Sequence, residues 1–148
     1  MDSTPAYFSD GVRGLWCVGP PGSGKSHWVR ETTQSRFQEE PYLKAQSKWF
    51  DGYDYQKVIL LEDLDKGAEC LGHHIKLWAD KWPVTGESKG GTLNLNHRLF
   101  VVTSNYYPEQ IFSDPVMLKP IQERFQIKQF LPMKEPKRQA ATDVLAFL

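Results

Sequence analysis

Hydrophobic residues fall into three short continuous runs separated by longer polar stretches: Leu15-Trp16-Cys17-Val18, the segment 57–61 (Lys57-Val58-Ile59-Leu60-Leu61), and Leu99-Phe100-Val101-Val102 within 98–105. A run without polar alternation reads as a strand covered on both faces, as in a parallel sheet. Helix-like segments lie between them. Residues 27–31 continue a helix that starts at about Lys25. Residues 70–82 put Leu71, Ile75, Leu77, Trp78 and Trp82 near helical spacing, and Pro83 stops that helix. A further helix is predicted near 117–123, interrupted by Pro120, with a β-like segment at 125–131. Residues 31–48 read as polar and loop-like, with Pro41-Tyr42-Leu43 a candidate short strand. Trp49-Phe50-Asp51-Gly52 reads as a packed turn. Residues 84–95 alternate on either side of Lys89-Gly90-Gly91, which predicts a hairpin or a flexible loop carrying one exposed cation, with an ordinary surface turn as the alternative. Residues 1–12 carry no strong periodicity. The expected organisation is one α/β domain over 1–131, followed by a proline-punctuated linker and a short terminal helix over 132–148.

Bulk properties narrow the partners. At 148 residues, with 40% hydrophobic and 24% charged residues, the chain has the size and composition of one globular domain with one core. Eighteen basic residues balance eighteen acidic ones, so a general duplex-DNA coat is excluded and any nucleic-acid contact must come from a local basic feature. No stretch reaches the roughly 18 apolar residues of a membrane span, so no membrane partner is expected. Cys17 and Cys70 are far apart and lack metal-ligand spacing. They are expected to be buried free thiols in an intracellular, reducing compartment.

The chemistry concentrates where the strands end. After the first run comes Gly19-Pro20-Pro21-Gly22-Ser23-Gly24-Lys25-Ser26, which matches G-x-x-x-x-G-K-[ST] at every fixed position. Strand, glycine loop and helix are the context this motif needs. The glycines let backbone N–H groups turn inward around phosphate oxygens, and the helix start adds its positive dipole end. Lys25 is expected to reach the β- and γ-phosphates and the Ser26 hydroxyl to help hold Mg²⁺. The second run ends in Glu62-Asp63. The first acid would coordinate Mg²⁺, directly or through water, and the second would position or deprotonate the attacking water; the alternative is a solvated acidic turn that includes Asp65. The third run ends in Thr103-Ser104-Asn105. In a sheet beside the carboxylate strand, Asn105 would lie near a γ-phosphate and orient water without adding charge, or it simply caps a turn before Tyr106-Tyr107-Pro108. His73 and His74 are neighbours, so on a helix they point roughly 100° apart, a poor geometry for a joint metal site.

Taken in order, these motifs resemble the superfamily 3 helicase domain of replication-associated proteins from small circular single-stranded DNA viruses, most of all the circovirus-like group. The likeness is carried by the loop at 19–26, Trp49-Phe50-Asp51-Gly52-Tyr53, the run 58–63 ending in Glu-Asp, Glu87-Ser88-Lys89-Gly90-Gly91-Thr92, and Val101-Val102-Thr103-Ser104-Asn105. It spans roughly residues 15–131. The resemblance implies a three-layer α/β P-loop domain of AAA+-like type, with a central parallel sheet of about five strands. It implies ATP and Mg²⁺ as cofactors, with 19–26 as Walker A and Glu62-Asp63 as Walker B, although circovirus relatives usually show Asp-Asp there. Lys89 looks like the channel lysine that contacts the backbone of single-stranded DNA. Asn105 resembles the sensor 1 residue, and Arg124 sits where an arginine finger acting on the neighbouring subunit is expected. A homo-oligomeric ring, usually hexameric, with 3′-to-5′ movement and a place in the host nucleus also follow from the likeness. Such a ring lets a neutral subunit bind a strand through six converging Lys89 side chains. Relatives also carry an endonuclease domain with a His-hydrophobe-His site and a helical oligomerisation segment before the first strand; no such His pair occurs here and that segment is absent or cut short, so the chain is expected to be an isolated domain, or a truncated or processed form, that does not nick DNA and forms rings weakly.

Two other functions share the phosphate loop. One is a nucleotide or small-metabolite kinase, which needs an acceptor site and usually an Arg-rich lid; only Arg98, Arg124 and Arg138 follow the acidic pair, and they are scattered. The other is a module that binds ATP to order an interface without turnover.

Overall fold

The computed structural model describes residues 13–132 apart from Pro83. The stretch 1–12, the terminal helix expected at 139–148 and most of the linker before it lie outside these residues. The elements in order are β1 (Gly14–Val18), α1 (Lys25–Phe37), β2 (Tyr42–Leu43), β3 (Val58–Leu64), a 3-10 helix (Lys66–Leu71), α2 (Gly72–Trp78), β4 (Thr85–Ser88), β5 (Gly91–Asn94), β6 (Leu99–Ser104), α3 (Pro108–Ile111), α4 (Pro115–Arg124) and β7 (Phe125–Gln129). Five strands form one sheet in the order β2-β3-β6-β1-β7, and every pairing in it is parallel.

The continuous apolar runs are explained by cover on both faces. Leu15, Cys17, Val58, Leu60, Leu99 and Val101 point to one side, beneath Trp28 and Val29 of α1. Trp16, Val18, Ile59, Leu61, Phe100 and Val102 point to the other, against Ile75 and Trp78 of α2 and Ile121 of α4. Alternate residues of each strand thus feed different cores, and each fully buried large side chain contributes about 1.5–3 kcal/mol. Trp16 ties the second core together. Its ring meets Phe125 edge-on at 5.5 Å, and its indole N–H donates to the Tyr106 carbonyl at 2.8 Å.

Several boundaries differ from the sequence reading. Helix α1 extends to Phe37, well past Glu31. Its second half, Thr32-Thr33-Gln34-Ser35, is polar, but Thr32 and Thr33 are buried. Helix α2 ends at Trp78 rather than at Pro83, and residues 66–71 wind as a 3-10 helix with a kink at Ala68. Pro120 lies inside α4 without interrupting it; the residue whose carbonyl loses its partner there, Val116, is 79% exposed. Cys17 is buried as expected, but Cys70 is exposed.

The hairpin is realised as a separate two-stranded antiparallel sheet, β4–β5. Its root rests on the aromatic turn before β3. The Phe50 N–H donates to the Glu87 carbonyl at 2.8 Å. Gly86 lies so close to Phe50 that a Cβ would come within 2.7 Å of its ring. That turn is itself held by a buried lysine. Lys44 Nζ donates to the carbonyls of Ala45, Ser47 and Trp49 and sits 4.5 Å from the Phe50 ring centroid and 4.9 Å from that of Trp78. Burial pushes its pKa down to about 8, against the opposing charge of Asp51.

His97 closes the core below the hairpin. Its Nε2 lies 2.7 Å from the Trp78 carbonyl, so the network assigns the proton to Nε2, and Nδ1 is buried without a partner. Burial pushes its pKa down to about 4; the Trp78 hydrogen bond opposes that shift and Arg13 adds to it. The unfolded chain, with a pKa near 6.5, therefore binds this proton more tightly. The stabilisation from neutral His97 is complete above pH 6.5 and is lost as pH falls towards 4, by about 3 kcal/mol. Urea denaturation across pH 7 to 4 should show this loss in the native chain and a shallower one in His97→Gln.

Candidate functional site

The site forms at the C-terminal ends of β1, β6 and β3, the position where open parallel sheets place ligands. β1 leads into the loop 19–24, and Gly24 takes φ 91° as it hands the chain to α1, a left-handed conformation that favours glycine. This puts Lys25 at the first position of the helix. Its side chain is buried and turned back over the loop. Nζ donates to the Gly19 carbonyl at 2.8 Å, the Pro20 carbonyl at 3.0 Å and the Ser23 hydroxyl at 3.5 Å. It also donates to Asn105 Oδ1 at 3.4 Å. Burial lowers the Lys25 pKa, and the charge of Asp63 is the largest influence opposing that shift.

Asn105 reaches Lys25 because β6 lies between the loop strand β1 and the carboxylate strand β3. Its amide oxygen thereby meets the lysine of the loop. The residues before it have structural work. The Thr103 hydroxyl accepts the Asp63 N–H at 3.0 Å, and the Ser104 hydroxyl donates to the Leu64 carbonyl at 2.7 Å. These contacts carry a local irregularity. The β3–β6 register shifts between Leu61 and Leu64, and Asp63 itself adopts φ 56°, uncommon for a residue other than glycine. The acids are therefore inside β3 rather than beyond its end, on a bulged final turn. Glu62 faces α1, where its Oε2 pairs with Arg30 Nη1 at 2.8 Å. Gln46 Nε2 donates to the carbonyls of both Glu62 (2.8 Å) and Asp63 (3.3 Å).

The structure thus brings Asn105 onto Lys25 of the loop 19–26, with the charge of Asp63 acting on the same lysine, while Glu62 is held against α1 by Arg30. It does not bring Arg124 or Lys89 to them. Arg124 ends α4, and the next residue, Phe125, pairs with Gly14 at the start of β1, so Arg124 lies at the end of the sheet away from the loop. There its Nη2 pairs with Asp80 Oδ2 at 3.2 Å and its Nη1 donates to the Pro120 carbonyl at 3.1 Å. Lys89 is exposed at the hairpin turn, with its N–H donating to Asp51 Oδ1 at 3.1 Å. The histidine pair behaves as packing: His74 stacks on Trp78 at 5.4 Å. The sequence reading missed Arg30, Thr103 as a support and Asp80. Only Arg30 had a usable signal, its place four residues after Ser26.

The oxygen donors Ser26, Glu62 and Asp63 suit a hard cation such as Mg²⁺, which takes one or two carboxylates together with substrate phosphates rather than an all-protein cage. The described residues contain no group of three or more His, Cys, Asp or Glu side chains able to hold a metal.

A five-stranded parallel sheet with its glycine loop, lysine and acidic strand end at one rim defines a P-loop NTPase-type α/β fold. Sequence comparison narrows the class. A family model described as RNA helicase matches residues 15–106. The chain is 37% identical over 97 residues to the replication-associated protein of Porcine circovirus 1, covering 65% of this chain and 30% of that protein. It is 31% identical over 125 residues to the replication-associated protein of Beak and feather disease virus, covering 84% and 40%, and 36% identical over 97 residues to that of Porcine circovirus 2, covering 65% and 29%. The chain belongs to this helicase family, as a circovirus-like helicase domain, and spans 40% or less of the length of these relatives.

The Thr103 support can be tested directly. Thr103→Val keeps the shape but leaves the Asp63 amide without its acceptor. It should cost about 1–3 kcal/mol in urea denaturation, with far-UV circular dichroism of the native state unchanged.

Proposed function

We propose that this chain is the ATP-hydrolysing motor of a viral replication-associated protein, acting on single-stranded DNA, 3′ to 5′, within a hexameric ring of identical subunits. The observation that carries the reading is the convergence of Lys25, Asn105 and Asp63 at the rim of three adjacent parallel strands, with the exposed Lys89 presented on a separate hairpin. When bound, Mg²⁺ would be held by Ser26 and the acidic pair and would neutralise phosphate charge. Lys25 leaves its loop carbonyls for the β- and γ-phosphate oxygens, a move favoured because phosphate supplies the anionic charge that the buried ammonium lacks. Asn105 and one acid orient water for in-line attack. Arg124 lies far from the loop of its own chain, and this supports its acting on the neighbouring subunit.

A second reading has its own support. Arg124 is held by Asp80 within the chain, and an arginine so held offers nothing to a neighbour. On that reading the isolated chain binds ATP without turnover.

Mg²⁺-dependent phosphate release against protein concentration separates the two. The motor reading expects turnover to rise faster than linearly, to increase with single-stranded DNA, and to vanish in Lys25→Ala. Arg124→Ala should lower it by roughly 10³-fold or more. Linear turnover indifferent to DNA would count against shared sites, and background release at high concentration would favour the binding module.

Lys89 has a separate readout. Lys89→Ala should weaken binding to a poly-dT oligonucleotide, and each lost phosphate contact should reduce the log–log salt slope by about 0.7. An unchanged slope would remove the strand-contact role of Lys89.

A further inference from the structure

The motif names the acids but not what orients them. The side-chain geometry points to a residue outside every motif. Glu62 continues the face of β3 that Val58 and Leu60 present to α1. On that side Arg30 Nη1 holds its Oε2 at 2.8 Å, with Arg30 37% and Glu62 28% exposed at the side chain. Arg30 is four residues after Ser26 in α1. Residues four apart on a helix stand one above the other, about 6 Å apart along the axis. The arginine therefore fastens Glu62 to the helix row that carries the metal-binding hydroxyl. Asp63 is treated differently. Its φ of 56°, the register shift after Leu61 and the hydrogen bond of its N–H to Thr103 turn it out of the alternation. Its charge is the largest influence opposing the effect of burial on the Lys25 pKa.

We propose that Arg30 is a positioning residue that holds Glu62 on the Ser26 row as the cation-side carboxylate. The inference rests on the nucleotide-binding reading of the loop at 19–26. Arg30 bonds one oxygen of Glu62, Oε2, so the guanidinium orients the acid through a single contact. Residues that orient a metal ligand typically change metal affinity 10–100-fold when removed. Arg30 has a second consequence for packing: its pair with Glu62 links α1 to the end of β3, where the bulge has already disturbed the ladder.

The test uses the whole chain and reads binding as well as turnover. The thermal unfolding temperature is followed with ADP alone and with ADP plus increasing Mg²⁺, giving an Mg²⁺ half-saturation. Arg30→Met should raise that half-saturation about tenfold while leaving the shift produced by ADP alone within error. Arg30→Lys should recover most of the loss. Glu62→Gln should raise it similarly, and the double variant no further than either single one, because both act through one contact. Asp63→Asn should leave it within about twofold yet lower the turnover number at saturating Mg²⁺. Several results overturn the proposal: an unchanged half-saturation in Arg30→Met, a lower one (a guanidinium that competes with the cation), independent losses in the double variant, or a larger effect from Asp63→Asn than from Glu62→Gln. If the native chain shows no shift with ADP, with or without Mg²⁺, the nucleotide reading itself fails and this inference falls with it; an ADP shift that survives in Arg30→Met with normal Mg²⁺ dependence removes the Arg30 role alone.

Discussion

A buried ammonium must be answered by oxygen, and most of the site follows from that requirement. Lys25 is fixed at the first turn of α1 by the loop before it, with its side chain out of bulk water. Charge in such a place is costly unless it is paired or hydrogen-bonded. The answers come from three strands. β1 supplies the loop carbonyls of Gly19 and Pro20, β6 supplies Asn105, and β3 supplies the field of Asp63. None of these suffices to neutralise the lysine by direct ion pairing, so the resting site remains electrostatically incomplete.

The sheet makes that arrangement possible by excluding alternatives. With apolar cover on both faces, β1, β3 and β6 can place polar side chains only at their ends. The rim is the one place where a lysine, two carboxylates and an amide can approach one another without breaking the core. Other charged groups stand elsewhere. The Lys89 hairpin is its own two-stranded sheet, and it leans on the Phe50 turn rather than on the rim that carries Lys25. Arg124 is placed at the opposite end of the parallel strands, against Asp80. The geometry thus distributes charged groups over three separated locations around one hydrophobic body.

The central strands were legible because a strand buried on both faces has no choice but to be apolar throughout. The loop motif was legible because few backbones can wrap a phosphate, and glycine, lysine and serine at fixed spacing reflect that scarcity. Other features carried weaker signals. The length of α1 was hidden because Thr32 and Thr33 are polar yet buried, so the apolar pattern stops before the helix does. The end of α2 was misread because Trp82 continues the helical spacing while being 65% exposed. Pro120 looked like a break, yet its helix continues through it. The burial expected for Cys70 failed because the segment around it winds as a 3-10 helix, whose three-residue turn changes which positions face inward. The Arg30–Glu62 and Arg124–Asp80 pairs join residues 32 and 44 positions apart. A sequence offers no local trace of such long-range partners.

The two cysteines end up chemically unequal, and this gives the molecule a native reporter position. Burial pushes the Cys17 thiol up to about 12, which leaves essentially no thiolate near neutral pH. Cys70 is exposed and lies in the 3-10 helix that directly follows the carboxylate strand β3. These are the chain's only cysteines, so a maleimide dye at mild pH is directed to one position without any substitution. That position follows the bulged acids closely along the chain, so a label there stands near the end of β3 while both cores stay untouched.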